Sequence, residues 1–337
     1  MDFNNLEIVI ATAKSEENNP ENTNIVNISN MTNAFLGQDA SLINIETIQE
    51  IENSLTIFSQ KCEKELGEEK PNKKTVNYNK RNKCFFLGGD ESKKFTIGQI
   101  ISARRQGVDF CLPESLKQSG DGKKLIRIMT EKLTEDKLYG RLNKELASSL
   151  AEKTKKTDML MSKAYSEIAY RSDKESKQFG IVAEKIILGT LEKISIDRPD
   201  LGITVREANA KDDVKNKIDF IILAKHKVRG VGINRQTFQL EEKSIGIQFT
   251  TNINKHEHKI EQISKAKERG IEVDDIIYVE LNHTILNEAI HKWEKQGKNI
   301  DGPFGFLPTD IQKQVITSLL KGVVTPEQEI DLIKMAR

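Results

Sequence analysis

The chain has 337 residues, of which 37% are hydrophobic and 31% are charged, and its net charge is +1. This length allows two domains of ordinary size, each with a core of its own. No apolar run reaches the roughly 18 residues of a membrane span, and the first residues lack the basic and apolar segments of a secretory signal. We therefore expect a cytoplasmic protein without membrane contact, in which the three scattered cysteines are reduced thiols.

Charge is unevenly distributed along the chain. Residues 1–60 contain one base, Lys14, and nine acids, a balance of −8, so the remaining residues carry +9. An acidic beginning on a basic body favours a body that binds polyanions such as nucleic acid.

The first half of the chain predicts a helical accessory domain. Residues 1–35 are rich in Asn, Glu and Ser and are predicted to be poorly ordered, whereas residues 36–172 are predicted to be mostly helical. The apolar spacing fits helices at 40–67, 95–107, 122–136 and 137–172. The basic segment 68–84 is predicted to be a linker. Its lysines and Tyr78 either contact a nucleic-acid backbone or are simply solvated.

Residues 175–285 predict an α/β domain. Its predicted elements are, in order, a helix at 178–194, strands at 203–207, 217–224 and 244–251, a helix at 256–269 and a strand at 274–281. A helix between the last two strands implies that they are parallel. We expect a polar hairpin at 208–216, a basic loop or hairpin at 225–243, and C-terminal helices in 286–337 that pack on this core.

One acid interrupts the most apolar of these strands. The strand 217–224 reads KIDFIILA, a nearly continuous apolar run that is typical of a strand buried on both faces. Asp219 inside it is unfavourable unless it is coordinated or hydrogen-bonded. The alternative is that Asp219 is an acid at the edge of the strand, near the mouth of a hairpin.

Two further side chains with oxygen donors lie on the first helix and on the third strand of the predicted α/β domain. Glu184 lies within the apolar sequence of the first helix, where it either meets a partner or is an ordinary surface acid beside Lys185. Gln248 lies on the third strand and shares a face with Thr250, because side chains alternate along a strand. Oxygen ligands that converge on one point are what a hard cation such as Mg²⁺ requires.

This pattern resembles the PD-(D/E)XK, or restriction-endonuclease-like, nuclease superfamily. The resemblance covers roughly the last half of the chain and implies an α-β-β-β-α-β core. It implies that Asp219, Glu184 and Gln248 hold Mg²⁺ or Mn²⁺, with Glu207 as a supplement. The position of the family lysine, two residues after Gln248, is occupied by Thr250.

The missing lysine has three candidate replacements. Lys217 lies two residues before Asp219 and is expected on the same face of the strand. Lys255 and Lys259 begin the following helix, four residues apart, and are the preferred candidates.

The function implied is a metal-dependent nuclease that hydrolyses nucleic-acid phosphodiesters, with DNA favoured over RNA and a homodimer left open. One alternative is a catalytically inactive nuclease-like module that binds nucleic acid or a protein partner. Another is an interaction protein that acts through its acidic beginning and charged helices. The sequence contains no GxSxG, P-loop, GxGxxG or HExxH motif, so a serine hydrolase, an NTPase and a dinucleotide enzyme have no support.

Overall fold

The computed structural model describes most of the chain from residue 26 onward. The residues outside the description are 1–25, 67, 69–73, 80, 83, 156–157, 174–178, 231–236, 253, 255, 299–301, 325–327, 329–331 and 333–337. The predicted candidate Lys255 therefore lies outside the described residues, as does most of the disordered segment predicted at 1–35. No helix among the described residues is both long enough and apolar enough to cross a lipid bilayer.

The fold combines helices with two four-stranded sheets. The helices are α1 Ile28–Leu36, α2 Ile45–Leu66, α3 Ile97–Arg105, α4 Glu114–Lys117, α5 Gly120–Thr154, α6 Met159–Asp173, α7 Phe179–Asp197, α8 His256–Glu268, α9 His283–Lys295 and α10 Thr309–Leu320. The strands are β1 Lys74–Asn79, β2 Cys84–Leu87, β3 Asp90–Phe95, β4 Phe110–Cys111, β5 Ile203–Glu207, β6 Phe220–Gly230, β7 Thr237–Thr250 and β8 Asp275–Glu280.

The C-terminal sheet has the strand order β5-β6-β7-β8. β6 is antiparallel to both β5 and β7, whereas β7 and β8 are parallel. The predicted succession of helix, three strands, helix and strand is therefore present, and α8 is the crossover that the parallel pair requires. The prediction of mixed α/β architecture is confirmed.

Both faces of this sheet are covered. Phe220, Ile222 and Ile247 point to one face, where they pack under α7, α9 and α10. Ile221 and Ile276 point to the other face, under α8. Burial on both sides explains why the sequence of β6 begins as a continuous apolar run.

The hairpin between β6 and β7 is longer than predicted. The basic segment 225–243, expected to be a loop or a hairpin, continues both strands to Gly230 and Thr237. Lys225 stands opposite Glu242 and its ammonium lies 2.7 Å from the Glu242 carboxylate. Cross-strand pairs of opposite charge favour such an extension.

The predicted polar hairpin at 208–216 is wrong. Residues Asp212–Asn216 form a helical turn that ends at Lys217 in the left-handed conformation, with φ of 59°. Asn209 Oδ1 accepts the backbone N–H of Asp212 at 3.0 Å. Ala210 and Val214 are buried against the N-terminal helices, so the segment gains more from a helical turn than from a solvated hairpin.

The accessory region is not as predicted in two respects. It contains a second sheet, of order β3-β2-β1-β4, and the expected linker at 68–84 supplies its strand β1. Val76 in β1 is fully buried, which a solvated linker would not allow. Residues 28–35, which fall in the segment expected to be poorly ordered, belong to α1, and Phe35 and Leu36 of this helix lie in the core.

The break between the two long helices also differs from the prediction. We expected it near residue 136, but α5 continues to Thr154 because its buried stripe continues through Leu138, Leu142 and Leu146. The next helix begins after Asp158, whose side chain accepts the backbone N–H of Met161 at 3.0 Å. An N-terminal cap of this kind fixes the start of a helix.

The accessory helices are attached to the α/β core by polar contacts, of which the one to Glu192 is buried. Arg105 at the end of α3 forms ion pairs with Asp136 of α5 and with Glu192 of α7. Asp197 at the end of α7 accepts the hydroxyl of Thr96 at 2.6 Å and the backbone N–H of Gly98 at 2.9 Å. Since Glu192 is only 5% exposed, the Arg105 guanidinium offsets a charge that water cannot reach.

Replacing Arg105 tests this attachment. Arg105→Ala leaves the buried Glu192 without its cation, so we expect the free energy of unfolding to fall by about 3–5 kcal/mol. Lys61→Ala is the control, because the Lys61 ammonium lies 3.7 Å from Glu65 with both side chains exposed. That pair should contribute about 0–1 kcal/mol. Denaturant unfolding measures both, and equal losses would contradict the buried bridge.

Candidate active site

The predicted acids lie around one cleft between the accessory helices and the α/β core. The cleft has a volume of about 380 Å³. Glu184, Glu207 and Asp219 line its core side, while α3, α5 and α6 form the opposite side. The helix, the first strand and the second strand therefore bring the predicted oxygen donors to the same place.

Asp219 and Gln248 are in direct contact. Asp219 directly precedes β6 and Gln248 lies on the neighbouring β7. Gln248 Nε2 donates to Asp219 Oδ2 at 2.8 Å, and the backbone N–H of Phe249 donates to the same oxygen at 2.6 Å. The Asp219 backbone is itself anchored, because its N–H donates to the carbonyl of Ile247 at 2.8 Å. Both strands thus fix the orientation of this carboxylate.

Gln248 has a further property that bears on ligand binding. Its side chain is only 2% exposed. Its carbonyl oxygen, Oε1, is buried and has no hydrogen-bond partner among the described residues. An unpaired buried acceptor is unfavourable and calls for an explanation such as an ion.

Position 250 provides no positive charge. Thr250 is 9% exposed, and its hydroxyl oxygen accepts the backbone N–H of Asn252 at 3.2 Å. The side chain thus stabilises the turn after β7. It cannot act on a phosphate as the family lysine would.

Two of the candidate lysines act electrostatically on the acids of the cleft. The positive charge of Lys259 lowers the pKa of both Asp213 and Asp219. Lys217 also interacts with these two acids, although burial lowers the pKa of its own ammonium. The prediction that Lys217 shares a strand face with Asp219 is wrong, because β6 begins only at Phe220.

Burial and mutual repulsion perturb the carboxylates. Burial, followed by the charge of Asp213, raises the pKa of Asp219 to about 7, against the opposing effects of the Phe249 N–H, Lys259 and Gln248. Burial likewise raises the pKa of Glu184 well above its ordinary value, and the charges of Asp219 and Asp213 add to that effect. These acids are close enough to disfavour one another's ionised forms.

The pKa of Glu207 is shifted by burial and by charged groups of the accessory helices and of α7. Burial and the charge of Asp136 raise the pKa of Glu207, whereas Lys185 and Arg105 oppose the rise. Glu207 therefore interacts mainly with groups of the accessory helices and of α7. Its predicted role as a supplementary ligand remains a prediction.

Sequence reasoning missed Asp213. This acid lines the cleft, and burial raises its pKa while Lys217, Arg171 and Lys259 oppose that rise. Its position depends on the helical turn 212–216, which was predicted to be a hairpin. The buried neighbours Ala210 and Val214, four residues apart, were the one signal in the sequence for a helical turn.

The donors around the cleft suit a hard cation only in part. Within the described residues, no three His, Cys, Asp or Glu side chains are placed so that they could hold a metal ion. The predicted set instead consists of two carboxylates, Asp219 and Glu184, and the amide oxygen of Gln248. Gln248 touches Asp219 through its amide nitrogen and is not among the residues that line the cleft. Its buried Oε1 has no hydrogen-bond partner among the described residues and is an oxygen of the kind that binds Mg²⁺.

Comparisons with known proteins provide no relative. No protein-family model, no curated protein and no solved structure matches this chain.

The pKa of Asp219 predicts how stability depends on pH. The folded state retains a proton that the unfolded state loses, so the free energy of unfolding should fall as pH rises from about 4 to about 7. For this one group, the fall should be on the order of 2–4 kcal/mol. Asp219→Asn should make the pH dependence shallower in denaturant titrations across this range.

The control for this titration is Asp200→Asn. Asp200 is exposed and pairs with Arg198, which lowers the pKa of its carboxyl group. Its removal should leave the fall between pH 4 and pH 7 unchanged. An unaltered pH dependence in Asp219→Asn would contradict the assignment of this proton to Asp219.

Proposed function

We propose that the chain is a metal-dependent nuclease that hydrolyses a phosphodiester in nucleic acid, with DNA as the preferred substrate. The observation that carries this proposal is the contact of Asp219, directly before β6, with Gln248 on β7, because Asp219 and Glu184 of α7 line the same cleft. Composition and the comparisons leave the activity open, so the proposal depends on this geometry and on the resemblance described above.

The topology supports the same proposal. The order α7-β5-β6-β7-α8-β8 is the succession of elements that the resemblance implies. Asp219, directly before β6, contacts Gln248 on β7, which supports a site shared by these two residues.

Asp219, Glu184 and Gln248 would hold Mg²⁺ or Mn²⁺. Bound there, the ion would polarise the phosphate and supply hydroxide near neutral pH. The Phe249 N–H orients the Asp219 carboxylate, which keeps one of its two oxygens engaged and fixes the direction of the other.

The lysines would act on the substrate. Lys259 of α8 interacts with Asp219 and is partly buried, so its ammonium can stabilise negative charge that develops on the attacked phosphate. Lys217 would support it from the end of the helical turn. This arrangement would replace the family lysine with one from the following helix.

A second candidate function has one observation in its favour. Because Thr250 is buried and engaged with the backbone at Asn252, the site departs from the family pattern where charge on the phosphate is stabilised. A nuclease-like module that binds nucleic acid without cutting it would tolerate this change. Binding without cleavage in any divalent metal would favour that candidate.

The main test is cleavage of labelled single- and double-stranded DNA and RNA in Mg²⁺ and in Mn²⁺. We expect wild-type protein to cleave, and Asp219→Asn to lose about 100-fold or more of the rate, because the substitution removes a charged ligand. Asp200→Asn, at an exposed pair, should cleave as wild type does. Cleavage that survives in Asp219→Asn would refute the proposed site.

A lysine series identifies the group that acts on the phosphate. Lys259→Gln should lower the cleavage rate about 10- to 100-fold by removing positive charge near the reacting phosphate. Lys265→Gln on the same helix is the control, because Lys265 is exposed and pairs with Glu261 at 2.6 Å. Equal rates for the two variants would show that Lys259 has no role in the reaction.

A further inference from the structure

The cleft is enclosed on one side by the accessory helices. α3 contributes Ser102 and Arg105, α5 contributes Asp136 and Gly140, and α6 contributes Arg171. A substrate bound in this cleft therefore lies between these helices and the α/β core. The accessory helices do not merely flank the proposed site but form its opposite wall.

The volume of the cleft limits what can enter it. The space of about 380 Å³ lies within the range of about 300–1,000 Å³ that is typical of pockets for small molecules. One nucleotide of an unpaired strand belongs to this size class, whereas a base pair joins two nucleotides and needs correspondingly more room.

Positive charges stand where the backbone of such a strand would enter. Lys185 lines the cleft and is exposed. Arg171 also lines it, with 38% of its side chain exposed, and its charge acts on Glu184 and Asp213. Cations at the rim and carboxylates in the interior suit a phosphate backbone that reaches the acids together with a divalent ion.

One glycine keeps this space open. Gly140 lies in the middle of α5 and lines the cleft. A Cβ atom added there would meet no heavy atom within 4 Å. Glycine is unfavourable inside a helix by about 1 kcal/mol relative to alanine, so its presence needs a reason other than helix formation.

We propose that the cleft admits one nucleotide of an unpaired polynucleotide strand, that it excludes a duplex, and that Gly140 contributes to this specificity by leaving its part of the cleft wall without a side chain. The inference rests on the proposed function for its chemistry. It concerns access to the cleft, so binding can test it without cleavage.

The test measures binding of a fluorescent oligodeoxynucleotide, as a single strand and as a blunt duplex of the same sequence, to full-length Asp219→Asn protein. This background prevents the proposed cleavage and also removes a negative charge that repels phosphate. Gly140→Leu is added to place a large side chain in the cleft, and Gly140→Ala adds a single methyl group. Gly120→Leu is the matched control, since Gly120 begins the same helix, is exposed and also has open space around it.

We expect the single strand to bind about tenfold or more tightly than the duplex, and Gly140→Leu to weaken single-strand binding about tenfold. Gly140→Ala should have a smaller effect, and Gly120→Leu none. Melting temperatures should not fall in the Gly140 variants, because both new residues favour the helix.

Three results would overturn the inference. They are duplex binding as tight as single-strand binding, equal single-strand affinity in Gly140→Leu and Gly120→Leu, and no single-strand binding. The outcome is separable from that of the proposed function. If wild-type protein cleaves nothing but the binding pattern appears, the nuclease proposal fails and the access inference stands. If wild-type protein cleaves duplex and single strand equally, the reverse holds.

Discussion

The cleft is organised around the carboxylate of Asp219. This residue directly precedes β6, a strand that begins as an apolar run buried on both faces. Neutral donors from β7, the Phe249 N–H and the Gln248 amide, stabilise its charged form. They do not offset burial and the nearby Asp213, since the pKa of Asp219 still rises to about 7. Ionisation of Asp219 is therefore unfavourable in the protein alone. A bound divalent cation would remove this penalty, because it stabilises the ionised carboxylate.

Other acids of this region differ from Asp219 in having a cation as their partner. Asp136 and Glu192 also lie near this cleft, and Arg105 forms ion pairs with both. Their arrangement is a structural ion bridge that joins α3, α5 and α7. Asp219 and Glu184 instead line the same, core side of the cleft, and the charge of Asp219 helps to raise the pKa of Glu184. The bridge holds the walls together, whereas the acid cluster suits a ligand.

The sequence allowed much of the core to be predicted, because its signals were local. The bounds of β5 were predicted as residues 203–207. The resemblance implied that Asp219 and Gln248 belong to one site, and their side chains are in contact. The accessory sheet was missed because β1 gains its stability from pairing with β2 and β4, which its own composition does not reveal. Asp213 was missed because the turn that positions it depends on burial against distant helices.

The position of Lys217 was predicted wrongly because the start of β6 was predicted too early. A period of two placed it on the face of Asp219, but the strand begins one residue after Asp219, and Lys217 ends the preceding turn in a left-handed conformation. Its ammonium nevertheless remains within electrostatic range of Asp213 and Asp219. The wall formed by α3, α5 and α6 could not be predicted either, since it depends on how the two halves of the chain pack.

The most direct measurement is anomalous diffraction from a crystal of the protein grown with Mn²⁺. The account predicts one strong peak in the cleft, within about 2.0–2.4 Å of oxygens from Asp219 and Glu184, with Gln248 Oε1 as a further ligand. The peak should be absent from Asp219→Asn crystals prepared in the same way. Ordered Mn²⁺ elsewhere on the protein, with none beside Asp219, would contradict the account.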